Sequence, residues 1–316
     1  MIQQTSKGTP RMDLADAMSE FDSTDKGLIA LDVLPGFGVK KKAATVSVIS
    51  RENLKRAKTK HANGAAFARV GLSAGDLSYS CVDHGLETPV TDVDRENYAS
   101  DFDADVAATD LITNKILIER EIRVATKAFD TAVFTGAALY TDVSSAPWDT
   151  VTSALIAHVD AAIQKVRANS GVKADSMAIG AVTLSNMKLN TGVKAMFPGA
   201  PLITLEMICN ALAAILGLKN IFVGEGIYDG EAEGQDFSGS DIWSDDYALI
   251  FKKHNGAHLK ETGLGRSMQW NPFSGEEIAP TSYREEQTES DIIRVRDFVD
   301  EKVFNPYCGH LLKIDA

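Results

Sequence analysis

The residues whose type and spacing best suit chemistry are Ser73, in Gly71-Leu-Ser-Ala-Gly75, and Asp83 and His84 just behind it. Gly-x-Ser-x-Gly is the nucleophile elbow of serine hydrolases, which needs a strand before the serine and a helix after it. Here Asp76-Leu-Ser-Tyr-Ser80 follows and alternates as a strand does. Asp83 and His84 are adjacent, so one of them is badly placed to orient the other. The motif reads as a hairpin turn rich in small residues, and a hydrolase using Ser73 is kept as a reading from a different class. His254-Asn-Gly-Ala-His258 has ligand spacing only on a helix, and Gly256 after a strand-like run argues for a turn with solvent-facing histidines. Gly224-Glu-Gly226 is too short for a dinucleotide fingerprint, and no phosphate-binding loop occurs. Cys81, Cys209 and Cys308 are odd in number and far apart, which fits reduced structural thiols, Cys209 within an apolar helical segment. No catalytic, cofactor or metal set emerges, which points away from an enzyme.

Charge is the other candidate chemistry. Arg51, Lys55, Arg56, Lys58 and Lys60 stand against a lone Glu52, and Lys40–Lys60 as a whole is basic. Asp83–Asp110 is acidic, with Asp92, Asp94, Asp101, Asp103 and Asp105 and only Arg95 opposing them. Two such blocks are either solvated faces or, on a repeating subunit, surfaces that meet between copies. The net charge of −12 repels a polyanion, so gripping nucleic acid is not the main task.

The elements that must position these residues follow from periodicity. No Gly or Pro falls between Val90 and Thr135, and Tyr98, Phe102, Val106, Leu111, Ile118, Ile122, Ala125 and Phe129 recur at mostly helical separations. Within Glu87–Val133 the spacing predicts one long helix, its start capped by Asp92 or Asp94 and supported by a Glu119–Arg123 pair. About forty residues would span about 60 Å, too long for a compact globule to enclose. Before it, Thr45–Leu86 reads as a projecting two-stranded hairpin with its basic tip at Arg51–Gly64, too small to be stable without a partner surface. Met1–Ala44 reads as an arm, with a short helix at Asp13–Phe21 and a strand at Leu28–Leu34. Past the spine, Pro147 opens a second helix with Val151, Leu155, Val159, Ile163 and Val166 inward, ended at Gly171. Then come a strand at Ser176–Val182, a helix at Thr204–Leu216 stopped by Gly217, and strands at Asn220–Gly224, Asp241–Phe251, Met268–Trp270, Ser290–Val295 and Gly309–Ile314.

At 316 residues with 44% hydrophobic and 24% charged content, the chain can hold two or three core-bearing units. No apolar run reaches membrane-spanning length, and the first residues lack the apolar core of a signal peptide, so cytoplasmic synthesis is the default.

Four segments together resemble the major capsid proteins of tailed double-stranded DNA bacteriophages, the Hong Kong 97-like fold. They are Glu87-Thr-Pro-Val90 with Glu119-Arg-Glu121, Leu212–Val223, Asp241-Ile-Trp-Ser-Asp-Asp-Tyr-Ala-Leu249, and Tyr283-Arg-Glu-Glu-Gln287 with Ser290–Arg296. The likeness runs from about Leu28 to the C-terminus. It implies an α+β subunit with an N-terminal arm at 1–44, an extended loop at 45–86, a peripheral domain with the spine helix at 87–173 and 265–316, and an axial domain at 174–264. It implies self-assembly into pentamers and hexamers of an icosahedral head that encloses double-stranded DNA without sequence-specific binding. No cofactor and no membrane enter. A scaffolding protein and a portal are implied as separate partners and a decoration protein as an optional one, with assembly in the host cytoplasm and residence in the virion. Only about forty residues precede the loop, so scaffolding is a separate protein or the sequence is already processed. Some members join Lys and Asn between subunits; Lys55, Lys58 and Lys60, with Asn271 or Asn305, could do so here, though an electrostatic role is the main reading. An encapsulin-like compartment shares the fold and is the runner-up; a decoration or tail protein is a third reading.

Overall fold

A computed structural model describes residues 9–10, 27–57, 59–61, 63, 67–98, 103–197, 204–232, 234–256, 261–271 and 279–315. The predicted Asp13–Phe21 helix lies outside them. Two sheets and one helix shared between them make the body. The first sheet is built on Ser290–Val303, a strand of 14 residues. One side of it pairs antiparallel with Val82–Thr91, from Ser290 opposite Thr91 to Val299 opposite Val82. The other side takes Ala279–Glu285 and then Gly265–Gln269, and Gly36–Gly38 runs parallel to the latter. Thr9–Pro10 pairs at the far edge, against Thr281 and Ser282.

The second sheet has the order Tyr140–Asp142, Gly309–Lys313, Tyr247–Phe251, Ser176–Gly180, Asn220–Gly224. Its central strands are buried on both faces, and alternation sorts their side chains. Met177, Ile179, Ala248, Ile250 and Leu312 face the helices Leu155–Ser170 and Leu205–Leu216, where Val159, Ile163, Ile208 and Leu212 complete a core. Ala178, Leu249, Phe251 and Leu311 face the other way, onto Val124, Ala125, Ala128, Phe134 and Trp243. The helix Ala104–Ala128 thus serves both units: its C-terminal half lies in this second core, and Ile112 and Ile116 in its first half pack on Val90, Ile293 and Val295 of the first sheet.

The spine is shorter than the periodicity predicts. It spans 25 residues, about 38 Å. Glu87–Thr91 belongs to a strand, because its backbone is taken up by Arg294–Ser290. The Thr91 hydroxyl accepts from Asp94 N at the start of a separate short helix, Asp92–Tyr98. The spine begins where Asp103 accepts from the amides of Asp105 and Val106, a side-chain cap that satisfies otherwise orphaned donors. Its buried arc is also rotated from the predicted stripe: Ile112, Ile116, Arg120 and Val124 are inside, while Leu111 is exposed.

Strand pairing changes two further expectations. Gly309–Lys313 does not follow Ser290–Val303 into the first sheet; it pairs with Tyr247–Phe251 and, in parallel, with Tyr140–Asp142. Leu311 and Leu312 are apolar in succession, which suits a strand covered on both faces. Leu155–Ser170 also belongs to this second core and starts later than Pro147, since Trp148 is fully buried and its N–H donates to the Ile314 carbonyl. Leu28–Leu34 is a helical turn, Ala30–Val33, rather than a strand. The predicted stops at Gly171 and Gly217 are observed, at φ of +75° and +65°, values that favour glycine. Among the described residues no helix is long and apolar enough to cross a membrane.

Candidate intersubunit surface

The hairpin pairs Ala43–Ile49 with Ala74–Ser80 in register from Ala43 opposite Ser80 to Ile49 opposite Ala74. Phe67–Leu72, expected in the return strand, lies before it without regular structure. The turn at its far end is closed by Asn53. The Asn53 amide donates to the carbonyls of Ser50 and Ser73 at 2.9 and 2.7 Å, and its Oδ1 accepts from Ser73 N at 2.8 Å. Ser73 therefore fastens a hairpin. It precedes a strand instead of leading from a strand into a helix, so no nucleophile elbow forms.

Beyond this closure the chain is exposed. Arg51, Lys55, Arg56 and Lys60 all stand at the surface, with Lys55 paired to Glu52; Lys58 lies outside the described residues. Phe67, Val70 and Leu72 are each more than three-quarters exposed. Large apolar side chains exposed beside basic ones make this projection a candidate contact surface.

The acidic segment is arranged differently. Arg284 grips Asp92 with both terminal nitrogens, at 2.7 and 2.6 Å, and this guanidinium holds the Asp92 carboxyl below its usual range. Arg95 donates to Asp105 at 2.8 Å and to Asp291 at 2.9 Å, and Asp105 is buried. Glu87 pairs with Arg294 at 2.7 Å, and Asp83 with Arg296. Asp103 caps the spine and Asp94 bonds Thr91; both remain exposed. Asp101 lies outside the described residues. Within the acidic block, Asp83, Glu87 and Asp92 are thus matched by arginines about 200 positions later in the same chain, and Asp105 by Arg95. The structure does not bring the block to the basic tip of its own hairpin. The expected Glu119–Arg123 pair is replaced by Arg123 to Glu301, at 2.9 Å.

Sequence reasoning missed the joint that carries the hairpin and spine. Arg120 and Asp297, both almost fully buried, pair at 3.1 Å. Arg123 and Lys127 converge on buried Glu301. Burial alone would raise the Glu301 carboxyl, but the Arg123 hydrogen bond and the two cations outweigh it and hold it below its ordinary range. Glu121 accepts from Ile29 N at 2.7 Å, Ala30 N at 2.9 Å and Trp243 Nε1 at 2.6 Å. Burial raises this carboxyl, and the three donors oppose that rise. One carboxylate so ties the N-terminal segment, the spine and the second unit together. The available signal was helical spacing: Arg120 falls one turn from Ile116 and from Val124, on the apolar arc, where an unpaired charge would be prohibitively costly.

His254 is buried, not solvent-facing; its Nδ1 lies 2.7 Å from Arg266, and burial lowers it to about 4. His258 lies outside the described residues. Among the described residues no group of three or more His, Cys, Asp or Glu could hold a metal. The three cysteines are free. Burial pushes Cys81 up to about 11 and Cys308 up to about 12, the opposite of a reactive thiol.

No family model matches the chain. Among curated proteins, the major capsid protein of Pseudomonas phage JBD67 is 28% identical over 210 residues, which cover 64% of this chain and 64% of that relative's length. Among solved structures, a phage-related protein of Bordetella bronchiseptica RB50 superposes with a TM-score of 0.72 at 19% identity, covering 97% of each chain. The capsid of Cyanophage P-SCSP1u gives 0.58 at 11% identity, over 89% of this chain and 86% of that one. The holo-SrpI encapsulin complex of Synechococcus elongatus PCC 7942 gives 0.52 at 8% identity, over 90% and 86%. The fold is the Hong Kong 97-like capsid fold, an α+β architecture, as the four sequence segments imply.

Proposed function

We propose that this chain is the shell-building subunit of a tailed-phage head, assembling into pentamers and hexamers that close an icosahedral shell around double-stranded DNA. The observation that carries this reading is the phage major capsid protein at 28% identity, alongside a shared capsid fold. The role is structural and calls for no cofactor. Residues 1–44 serve as arm and 45–86 as the loop laid on a neighbour. The sheet around Ser290–Val303 with the first half of the spine forms the peripheral part, and the sheet around Tyr247–Phe251 forms the axial part, which takes in Leu155–Ser170 and the terminal strand. A scaffolding protein and portal act beside it, with a decoration protein as an optional addition; assembly takes place in the host cytoplasm and the product resides in the virion.

At the contact itself, Lys55, Arg56, Lys58 and Lys60 approach an acidic face of the next subunit while Phe67, Val70 and Leu72 cover its apolar surface. Asp94 and Asp103, which remain exposed, are the favoured acceptors there, because Asp92 and Asp105 are held by arginines of their own chain. Expression of the chain, with its scaffolding partner, followed by negative-stain microscopy tests the reading: closed particles support it, and monomers under every condition refute it. The encapsulin likeness gives the second reading, and DNA rather than protein cargo in purified particles separates the two.

A further inference from the structure

The hairpin does not leave the body freely. Its far turn, the short helix Arg51–Leu54, rests on two features of its own chain. The Arg51 guanidinium carbon lies 3.7 Å from the centroid of the Tyr307 ring. Leu54 sits so close to the helix end at Gly171 that a Cβ added there would meet its Cδ1 at 2.6 Å. Gly171 is in the left-handed region and ends Leu155–Ser170. Tyr307 is held from behind: it packs against the core that contains Phe134 and Leu311, and its N–H donates to Asn305 Oδ1 at 3.2 Å. The Asn53 clamp on Ser50 and Ser73 makes the turn one stiff piece. Past it, Phe67, Val70 and Leu72 stand exposed.

We infer that Tyr307 and Gly171 form a docking platform that aims the hairpin, and that Arg51 acts in assembly as a positioning residue, not as a contact to the neighbouring subunit. This rests on the shell-subunit reading and sharpens it: the body sets the direction of the loop before any neighbour arrives. A stacked guanidinium at an exposed site shifts such a docking equilibrium about two- to fivefold. The shift is small for one subunit but is repeated in every copy of a shell. Pre-ordering of this kind lowers the entropy that each contact must overcome.

The test compares the wild-type chain with Tyr307→Phe, Tyr307→Ala and Arg51→Ala. Unassembled subunits are digested with trypsin and the rate of cleavage after Lys55 and Arg56 is followed; where opening is fast, this rate tracks the undocked population. Assembly yield and particle diameter are read on the same samples. The expected result is cleavage about two- to fivefold faster in Tyr307→Ala and Arg51→Ala, fewer or more heterogeneous particles, and rescue by Tyr307→Phe, which keeps the ring face. Arg51 is exposed, so its variant does not put folding at risk. Wild-type cleavage and wild-type particles in Arg51→Ala would overturn the inference. If the wild-type chain itself builds no shells, the functional reading fails while the cleavage comparison still decides the platform.

Discussion

The joint between spine and long strand and the far end of the hairpin carry the same kinds of side chain and use them in opposite ways. At the joint, Arg120, Glu121, Arg123 and Lys127 are each engaged by the same chain, by Asp297, by Glu301, or by the donors of Ile29, Ala30 and Trp243. At the hairpin tip, Arg56, Lys60, Phe67, Val70 and Leu72 lie at the surface. Buried charge is costly unless paired, and each charge of the joint has an opposite charge or a set of donors beside it, which favours one geometry. The tip past the Arg51–Leu54 turn makes local contacts, Lys55 to Glu52 and Phe67 stacked on His61, and leaves its large side chains in solvent. In a shell subunit of the kind proposed, the joint would be the stiff part and the tip the part left for a neighbour.

The comparison breaks most readily at the joint. Asp297→Ala leaves Arg120 buried without its carboxylate and should cost about 3–5 kcal/mol, read as a fall in the urea midpoint. Glu121→Gln keeps one acceptor oxygen but turns an NH₂ toward N–H donors, and about 2 kcal/mol should be lost. A midpoint unchanged in either variant would show that these charges are bystanders to the packing around them.

Protonation tests the same region without mutation. Burial lowers His254 and His310 to about 4. His310 is fully buried, its Nδ1 lies 3.0 Å from the Ala138 carbonyl, and its Nε2 lies 2.8 Å from the Thr141 hydroxyl, which Lys165 also reaches. Below the ordinary histidine value of about 6.5 the unfolded chain takes up protons that these rings refuse. Stability present above pH 6.5 is therefore lost as pH falls toward 4, by at most about 3 kcal/mol for each ring. Glu121 works against this, because a carboxyl raised by burial destabilises the fold as pH rises through its shifted value. The acid loss should accordingly be steeper in Glu121→Gln than in wild type. A flat profile between pH 7 and 4.5 would contradict the burial of both rings.

What could be read in the sequence was local. Gly171 and Gly217 end their helices where the apolar stripes stop, and the strand Asn220–Gly224 and the part of Ser290–Val303 up to Val295 show as apolar or alternating runs. What could not be read depends on distant partners. Glu87–Thr91 leads through Pro89 into a helical pattern, and it is a strand because Ser290–Arg294 lies beside it. Three acids of the block, Asp83, Glu87 and Asp92, are taken up by Arg296, Arg294 and Arg284. For the candidate surface, the basic residues and their hairpin were legible; which acids remain open to a neighbour was not, since that depends on which ones the fold has already engaged.

Smaller effects belong to the tip. Reversing charge at Arg56 and Lys60 to glutamate should leave the urea midpoint of the isolated subunit within about 0.5 kcal/mol of wild type. Particles should then form poorly or fall apart as salt is varied, since exposed ion pairs between copies are screened over about 10 Å at 0.1 M. Normal assembly at every salt concentration would remove the basic tip from the contact.

The smallest effect on the monomer is expected where the contrast with the joint is greatest. Phe67, Val70 and Leu72 are 76%, 76% and 78% exposed, so replacing all three with serine removes almost no buried apolar surface and should change subunit stability by no more than about 0.5 kcal/mol. If the neighbour covers them, the same change withholds apolar burial worth about 1.5–3 kcal/mol for each side chain fully covered, at every contact in a shell. A folded subunit with an unchanged melting curve and no closed particles is the expected outcome. Intact particles from the triple variant would mean that these side chains stay in water after assembly, and the tip would then have to bind by its charges alone. A monomer that melts early would mean the opposite error: the hairpin packs on its own body well beyond the Arg51–Leu54 turn, and the region taken as unfinished is part of the core.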